Sequence, residues 1–326
     1  MKIFGMHVVR AAITASVVAG ALASAAMAAG DYPSRPVTIV VPFTPGGSTD
    51  ILARYEADVL QRALHGTFVV ENRPGAGGEI GITFASRAAP DGYTLLHAPS
   101  VITLLPFLKK SISYDLKDFA PICLIGLTQF GLVVSPSLHV NSVAELIALA
   151  KAHPGELTFA SAGIGTPHQI FGELFKTMTG VDIRHIPYKG SIPGLTDVAS
   201  GNVSMEFTDM APATPLIQSG KLKLIAVLGA KRDPDMPNVP TVGETVPGYV
   251  AQSWQALFAR AGTPDNIVDE IAKPLAADLK RPETVARFKA IGIVAQSDTP
   301  AEFRAFIASE SVKWGKVIKQ AGIEPQ

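Results

Sequence analysis

Residues 37–54 read Val-Thr-Ile-Val-Val-Pro-Phe-Thr-Pro-Gly-Gly-Ser-Thr-Asp-Ile-Leu-Ala-Arg, and they predict a strand, a glycine turn and the start of a helix. The apolar run 37–41 is typical of a buried strand. Gly46 and Gly47 allow a tight bend, and the segment 48–50 (Ser-Thr-Asp) favours a helix N-terminus. Such a turn presents backbone N–H groups at the positive end of a helix dipole, which suits an anion.

A second copy of this pattern occurs at residues 157–178. The segment 157–160 predicts a strand, and residues 161–166 (Ser-Ala-Gly-Ile-Gly-Thr) form a turn of small residues. Thr166 can cap a helix that has Pro167 at its first position, and Gly180 is placed to end it. Two such turns, far apart in the sequence, suggest one ligand held between two lobes.

Composition limits the classes of protein to which the chain can belong. Its 326 residues suffice for two α/β domains, and 47% of them are apolar, which allows a sizeable core. The net charge is zero, so composition requires no basic face, and this argues against a nucleic-acid partner. The single cysteine, Cys123, cannot form an internal disulfide, and its apolar surroundings predict a small buried hydrophobe.

Residues 1–28 have the pattern of a signal peptide. Lys2 and Arg10 give a basic start, residues 11–26 are small and apolar, and Ala-Met-Ala at 26–28 fits a cleavage site. The alternative is a membrane anchor, but the apolar run is shorter than the roughly 20 residues that cross a bilayer. We therefore expect an exported, periplasmic and soluble protein, cleaved near Ala28.

Strand-like and helix-like segments alternate along the mature chain, which predicts an α/β fold with parallel-rich sheets. Two apolar runs, 119–127 and 130–134, indicate a crossing into a second domain, and the proline-rich stretch 231–248 indicates the return. The predicted division is a discontinuous lobe 1, residues 29–128 and 250–326, and a lobe 2, residues 129–249.

Motifs of common enzymes and cofactor sites are missing from the sequence. There is no Walker A loop, HExxH, CxxC or GxSxG, and the histidines lack metal-ligand spacing, so we expect no metal and no cofactor. The glycine-rich loop 72–78 resembles a dinucleotide fingerprint, but Ile80 stands where that fingerprint needs glycine. We find no nucleophile–base pair near either turn, and we expect no enzyme.

Three polar residues near the turns have two interpretations each. His168, in the first turn of the second helix, is either a surface or capping residue or a ligand contact. Asp50 either interacts favourably with its helix dipole or contacts the ligand. Asp209, just beyond a predicted strand, either lies outside the cleft or faces it and selects between ligands.

Several motifs resemble those of the tripartite tricarboxylate receptor family, also called the Bug family of periplasmic solute-binding proteins. They run in family order across nearly the whole mature chain. They include Val-Pro-Phe-Thr-Pro-Gly-Gly-Ser-Thr-Asp at 41–50, Glu-Asn-Arg-Pro-Gly-Ala-Gly-Gly at 71–78, Ala-Pro-Asp-Gly-Tyr-Thr-Leu-Leu at 89–96, Ser-Ala-Gly-Ile-Gly-Thr at 161–166, Gly-Glu-Leu-Phe at 172–175 and His-Ile-Pro-Tyr-Lys-Gly at 185–190.

The resemblance implies a two-lobed, type II periplasmic-binding-protein fold with a ligand cleft between the lobes. It also implies a carboxylate held at the two turns by backbone N–H groups, hydroxyls and waters, without a matching Arg or Lys. Carried over by motif, one side of the cleft is Phe43, Thr44, Gly47 and Ser48, the other is Ser161, Gly165 and Thr166, and Asp209 helps to select the far end of the ligand.

Two departures from the family pattern concern the ligand. The family commonly has a histidine at the position of Gln169, whereas here it is His168, which turns the imidazole by about 100° around the helix. Glu79 stands where a small residue or Asn is frequent; pointing inward, it would disfavour dianions and favour a monocarboxylate or an amino acid.

The resemblance implies a monomeric receptor that hands a small carboxylate to integral-membrane transporter subunits or a sensor. A periplasmic hydrolase or isomerase on the same scaffold is the main alternative, and the third is an assembly or sensing protein whose cleft no longer binds a ligand.

Overall fold

The computed structural model describes residues 32–320 and 325. These residues form two mixed β-sheets with helices packed against them. The predicted signal peptide, residues 1–28, lies outside the described residues. In chain order the strands are β1 (Val37–Val41), β2 (Phe68–Asn72), β3 (Thr94–Pro99), β4 (Phe119–Thr128), β5 (Phe130–Val134), β6 (Thr158–Ser161), β7 (Arg184–Pro187), β8 (Met205–Asp209), β9 (Lys223–Val227), β10 (Ser253–Arg260) and β11 (Ile293–Ala295). The helices are α1 (Ser48–Leu64), α2 (Glu79–Ser86), α3 (Val101–Leu108), α4 (Val143–Ala152), α5 (Pro167–Thr179), α6 (Ser191–Ser200), α7 (Met210–Gln218), α8 (Asp265–Asp278), α9 (Pro282–Lys289) and α10 (Pro300–Gln320).

The first sheet has the strand order β11-β4-β10-β3-β1-β2. Strand β1 is parallel to both of its neighbours, β2 and β3, as expected for strands that alternate with helices. Strand β10 comes from late in the chain and pairs antiparallel with β3 and β4, so residues 253–260 lie inside the sheet. We call this sheet, with the helices packed on it, lobe 1.

The second sheet has the order β7-β6-β8-β5-β9 and forms lobe 2. Strand β6 is parallel to β7 and β8, while β5 is antiparallel to β8 and β9. The chain passes from lobe 1 to lobe 2 at Gln129, between β4 and β5, and returns between β9 and β10. The predicted α/β architecture with two lobes is confirmed, and the division at 128/129 and 249/250 stays a prediction.

Helix α10 contacts the hydrophobic cores of both lobes. Near its start, Phe303 packs edge-on against Trp254 of β10, with ring centroids 6.0 Å apart. Farther along, Trp314 packs on Phe171 of α5 at 5.7 Å, and Ile318 is buried in the same core. The last helix therefore belongs structurally to both lobes, although the sequence assigned it to lobe 1.

The sequence analysis did not predict helix α3 or strand β11, and the reasons differ. Six of the eight residues of α3 are buried. A helix buried on most sides has apolar residues on most sides, so its sequence lacks the apolar–polar alternation that predicts a helix. Strand β11 has three residues and pairs only with β4 at the edge of its sheet, which is too short for a recognisable pattern.

The single cysteine, Cys123, is fully buried in β4 and packs in the lobe 1 core, so the prediction of a small buried hydrophobe is confirmed. Burial raises the pKa of its thiol to about 12. None of the helices in the described part of the chain is long and apolar enough to cross a membrane.

Candidate functional site

A small cavity lies between the two lobes, with about 30 Å³ of room for the centres of water molecules. Lobe 1 contributes Phe43, Thr44, Gly47, Ser48, Thr49, Pro99, Ser253 and Gln255 to its wall, and lobe 2 contributes Phe130, Ala162, Thr166, Pro167, His168, Ser191 and Asp209. Among these described residues there is no Lys or Arg. In the part of the chain that the structure describes, no group of three His, Cys, Asp or Glu residues is placed to hold a metal ion.

The turn after β1 directs the N-terminus of α1 at this cavity. Gly46 has a φ of +90°, which glycine adopts readily, and Gly47 and Ser48 then reach the cavity wall. Asp50 faces away and accepts hydrogen bonds from Gly46 N and Arg54 Nε, both at 3.0 Å. Burial opposes ionisation of this carboxyl, but the hydrogen bonds outweigh burial and hold its pKa below the usual value. Asp50 therefore stabilises the turn.

The turn after β6 directs the N-terminus of α5 at the cavity from the opposite side. Thr166 Oγ1 donates a hydrogen bond to Gly163 O at 2.6 Å, and Gly165 N donates to Gln169 Oε1 at 2.6 Å. Thr166 and Pro167 reach the cavity wall, whereas Gly165 does not. The side chain of Gln169 therefore stabilises this turn.

Ser161 lies behind the wall and not on it. Its hydroxyl is 2.5 Å from His185 Nε2 and accepts a hydrogen bond from Gly163 N at 3.1 Å. Burial, with a smaller contribution from Lys176, lowers the pKa of His185 to about 4, so this imidazole is neutral at pH 7. The structure thus contains a serine–histidine pair that the sequence analysis did not find. Ser161 is fully buried, however, so its hydroxyl is closed to a substrate.

Asp209, the last residue of β8, connects lobe 2 to α1 of lobe 1. Its Oδ2 accepts hydrogen bonds from Ser48 N at 3.3 Å and from the Ser48 hydroxyl, and its Oδ1 lies 2.9 Å from His168 Nε2. Burial opposes ionisation of Asp209, but the bonds from His168 and Ser48 outweigh it, and the pKa lies below its usual value. Asp209 therefore faces the cleft, in agreement with the second of the two interpretations given above; its role in selecting the ligand stays a prediction.

His168 is only 8% exposed and lies on the cavity wall beside Phe130, with ring centroids 5.1 Å apart. The structure therefore favours the interpretation of His168 as a residue that faces the ligand space over that of a surface residue. Its contact with a ligand stays a prediction.

Glu206 is a fully buried carboxyl behind Asp209. Its Oε1 is 3.8 Å from His168 Nε2, and within the described chain neither of its oxygens has a hydrogen-bond partner. Burial first, and the negative charge of Asp209 second, raise its pKa well above the usual value. Glu206 is thus held as a neutral acid beside an ionised one.

Glu79 points away from the cavity. It pairs with Lys109 and accepts a hydrogen bond from Ser113 N at 3.3 Å, and it is not part of the cavity wall. The hypothesis that Glu79 disfavours dianions required an inward side chain, so it is wrong for this structure.

Of the eight predicted ligand-binding residues, Phe43, Thr44, Gly47, Ser48, Thr166 and Asp209 lie on the wall, and Ser161 and Gly165 support the second turn. The sequence analysis missed Thr49, Pro99, Phe130, Ala162, Pro167, Ser191, Ser253 and Gln255. For the last two a signal exists: Ser253 and Gln255 alternate with buried apolar residues at the start of β10. A period of two marks one face of a strand, but not which face meets a cleft.

Comparison with known proteins gives a consistent result. A sequence model of a family described as "Tripartite tricarboxylate transporter family receptor" matches residues 52–323. Protein BugT of Bordetella pertussis is 39% identical over 303 residues, which cover 92% of this chain and 93% of BugT.

Two solved structures extend the comparison. Rpa4515 of R. palustris with adipate has a TM-score of 0.88 and 37% identity, covering 91% of this chain and 100% of that chain. MatC (Rpa3494) from Rhodopseudomonas palustris with bound malate has a TM-score of 0.82 and 28% identity, covering 88% of this chain and 100% of that one. Together with the two-sheet topology, these similarities confirm the predicted two-lobed type II fold with a cleft between the lobes.

Glu206→Gln should stabilise the protein increasingly as the pH rises. The folded pKa of Glu206 is raised, so above the unfolded pKa of about 4.3 the unfolded chain loses a proton that the folded chain keeps. Wild-type stability then falls with rising pH, by at most about 1.4 kcal/mol per unit, until the folded pKa is reached. Glutamine does not titrate and escapes this loss.

Thermal unfolding of both proteins from pH 5 to pH 8 measures the effect. Asp58→Asn, at an exposed position of α1, is the control and should show a constant difference from wild type. A constant difference for Glu206→Gln as well would mean that Glu206 ionises in the folded protein.

Proposed function

The chain belongs to the tripartite tricarboxylate transporter receptor family, and from this we propose that it is a periplasmic solute-binding receptor that captures a small carboxylate between its two lobes. We propose further that it delivers this cargo to membrane transporter subunits or to a sensor, acts as a monomer, catalyses no reaction, and is exported by a signal peptide cleaved near Ala28.

The observation that carries the proposal is the position of the Asp209 carboxylate. It lies at the N-terminus of α1 and accepts hydrogen bonds from the backbone N–H and the hydroxyl of Ser48. This turn, together with His168 at 2.9 Å, therefore already holds one carboxylate without a Lys or Arg in the described cavity wall. Helix dipoles and free N–H groups stabilise an anion at such a position.

We propose that a ligand carboxylate contacts the predicted wall residues Phe43, Thr44, Gly47, Ser48 and Thr166, while Ser161 and Gly165 hold the second turn in shape. The Thr44 hydroxyl is buried and has no hydrogen-bond partner among the described residues, so it is available to a ligand. The solved relatives hold adipate and malate, which are both dicarboxylates.

A calorimetric and thermal-shift panel tests the function. The panel is adipate, malate, citrate, hexanoate and the neutral adipamide. One equivalent of at least one carboxylate should bind and remain unchanged, and adipamide should not bind. A ligand at a hundredfold excess over its Kd stabilises by about 2.7 kcal/mol. Turnover of the bound carboxylate would support the enzyme alternative, and absence of binding would favour the sensing protein with an empty cleft.

Closure over the ligand depends on a close approach between the lobes at Gly77. A Cβ atom on Gly77 would lie 1.8 Å from Ile164 O, in the second turn. Backbone atoms cannot yield as a flexible side chain can, so only glycine permits this contact.

Gly77→Ala should weaken binding of the carboxylate by about tenfold or more, because the closed lobes would be forced apart. Gly180→Ala is a matched control: Gly180 has φ +69° and ψ 19°, against φ +68° and ψ 18° for Gly77, but its Cβ would meet nothing within 4 Å. Both variants bear the same backbone strain of roughly 1–2 kcal/mol. Equal calorimetric affinities for the two variants would contradict the role of this contact in closure.

Asp209→Asn should shift the preference of the cleft towards dianions. The Asp209 carboxylate repels a second negative charge nearby, by about 3 kcal/mol at 5 Å in an effective dielectric of 20. The ratio of the Kd for adipate to the Kd for hexanoate should therefore fall by about tenfold or more. Asp50→Asn makes the same change in the first turn of α1, facing away, and should leave the ratio unchanged. An unchanged ratio in Asp209→Asn would show that Asp209 does not select between ligands.

A further inference from the structure

Three buried polar side chains form a line from the core of lobe 1 to the cavity. Glu56 of α1 has its Oε1 2.8 Å from His97 Nδ1, and His97 Nε2 is 3.2 Å from Gln255 Oε1. Glu56 and His97 are completely buried, and Gln255 lies on the cavity wall. The proposed function assigns no role to Glu56 or His97.

Burial constrains the protons in this line. An ionised Glu56 beside a neutral His97 would leave a net charge in the core, which is costly to bury. The pair is neutral in two ways: an ionised Glu56 with a doubly protonated His97, or a protonated Glu56 that donates to His97 Nδ1. In both, His97 Nε2 carries a proton.

One other neutral arrangement places the proton of Glu56 on Oε2. That oxygen is buried and has no hydrogen-bond partner among the described residues, so the O–H group would be an unpaired buried donor. His97 Nε2 therefore donates to Gln255 Oε1. Since the carbonyl end of the amide is fixed to His97, its NH₂ end is the free end of a side chain on the cavity wall, and no described residue accepts a hydrogen bond from it.

We propose that Gln255 binds the carboxylate ligand through its amide NH₂ group, and that the Glu56–His97 pair is a positioning device that fixes the direction of this amide. The inference rests on the proposed function and names a donor outside the two turns. A neutral amide adds donors to a cavity wall without Lys or Arg, so it binds an oxygen acceptor and disfavours a ligand that presents an ammonium group there. The buried pair prevents the amide from turning its oxygen to the ligand.

Calorimetry with adipate and malate as probes tests the donor. Gln255→Met removes the NH₂ group without adding a charge, and Gln255→Glu replaces NH₂ by an oxygen while keeping the acceptor for His97. Both should weaken the probe that wild type binds by about tenfold or more. Gln252→Glu makes the same change at an exposed position three residues earlier and should alter Kd less than twofold. Retention of wild-type affinity by Gln255→Met would overturn the proposal.

The nitrogen spectrum of His97 tests the positioning device separately. Long-range ¹H–¹⁵N correlation of the ligand-free wild type, assigned with His97→Gln, should show a protonated Nε2 from pH 6 to pH 8. An unprotonated Nε2 would overturn the proposal, because the amide would then be free to present its oxygen. If wild type binds neither probe, the proposed function fails for these ligands, and this spectrum alone decides the orientation of Gln255.

Discussion

An anion held without a cation must be stabilised by N–H and O–H groups that already point at it. In this protein those groups lie at helix N-termini, and a helix N-terminus faces a cleft only if the strand before it ends at the cleft. Both lobes meet this condition with the same strand–turn–helix unit, at the start of α1 and at the start of α5. The glycines, hydroxyls and close lobe contact near the cavity all follow from this one requirement.

Three acidic side chains, Asp209, Glu206 and Glu56, lie at or near this cleft, and its described wall contains no Lys or Arg to neutralise them. Asp209 stays ionised because three donors surround it, whereas Glu206 behind it is kept neutral by burial and by the charge of Asp209. On the opposite side, Glu56 is paired with His97. Each acid is compensated in a different way.

The sequence predicted the parts of the site that local chemistry determines. The two turns are visible because glycine, capping residues and apolar periods lie within a few residues of each other. The sequence could not predict that Gln255 lies at the cleft, because its position depends on the pairing of β10 with β3 and β4, which are far away in sequence. The directions of the Ser161 and Glu79 side chains could not be predicted for a related reason: a motif places a residue near a site, but only packing against His185 or Lys109 shows where its side chain points.

Strand β10 has a consequence for the order in which the chain can fold. The strands of lobe 2 lie within residues 130–227 and can pair as soon as this stretch has been synthesised. The lobe 1 sheet has its middle position open between β3 and β4 until residues 253–260 emerge, and helix α10 can seal both cores only after residues 300–320 have emerged. Closing such a long loop is entropically slow. A nascent chain therefore passes through a stage in which the lobe 2 strands can pair, the lobe 1 sheet is still open and neither core is sealed by α10, which is when it is most exposed to aggregation.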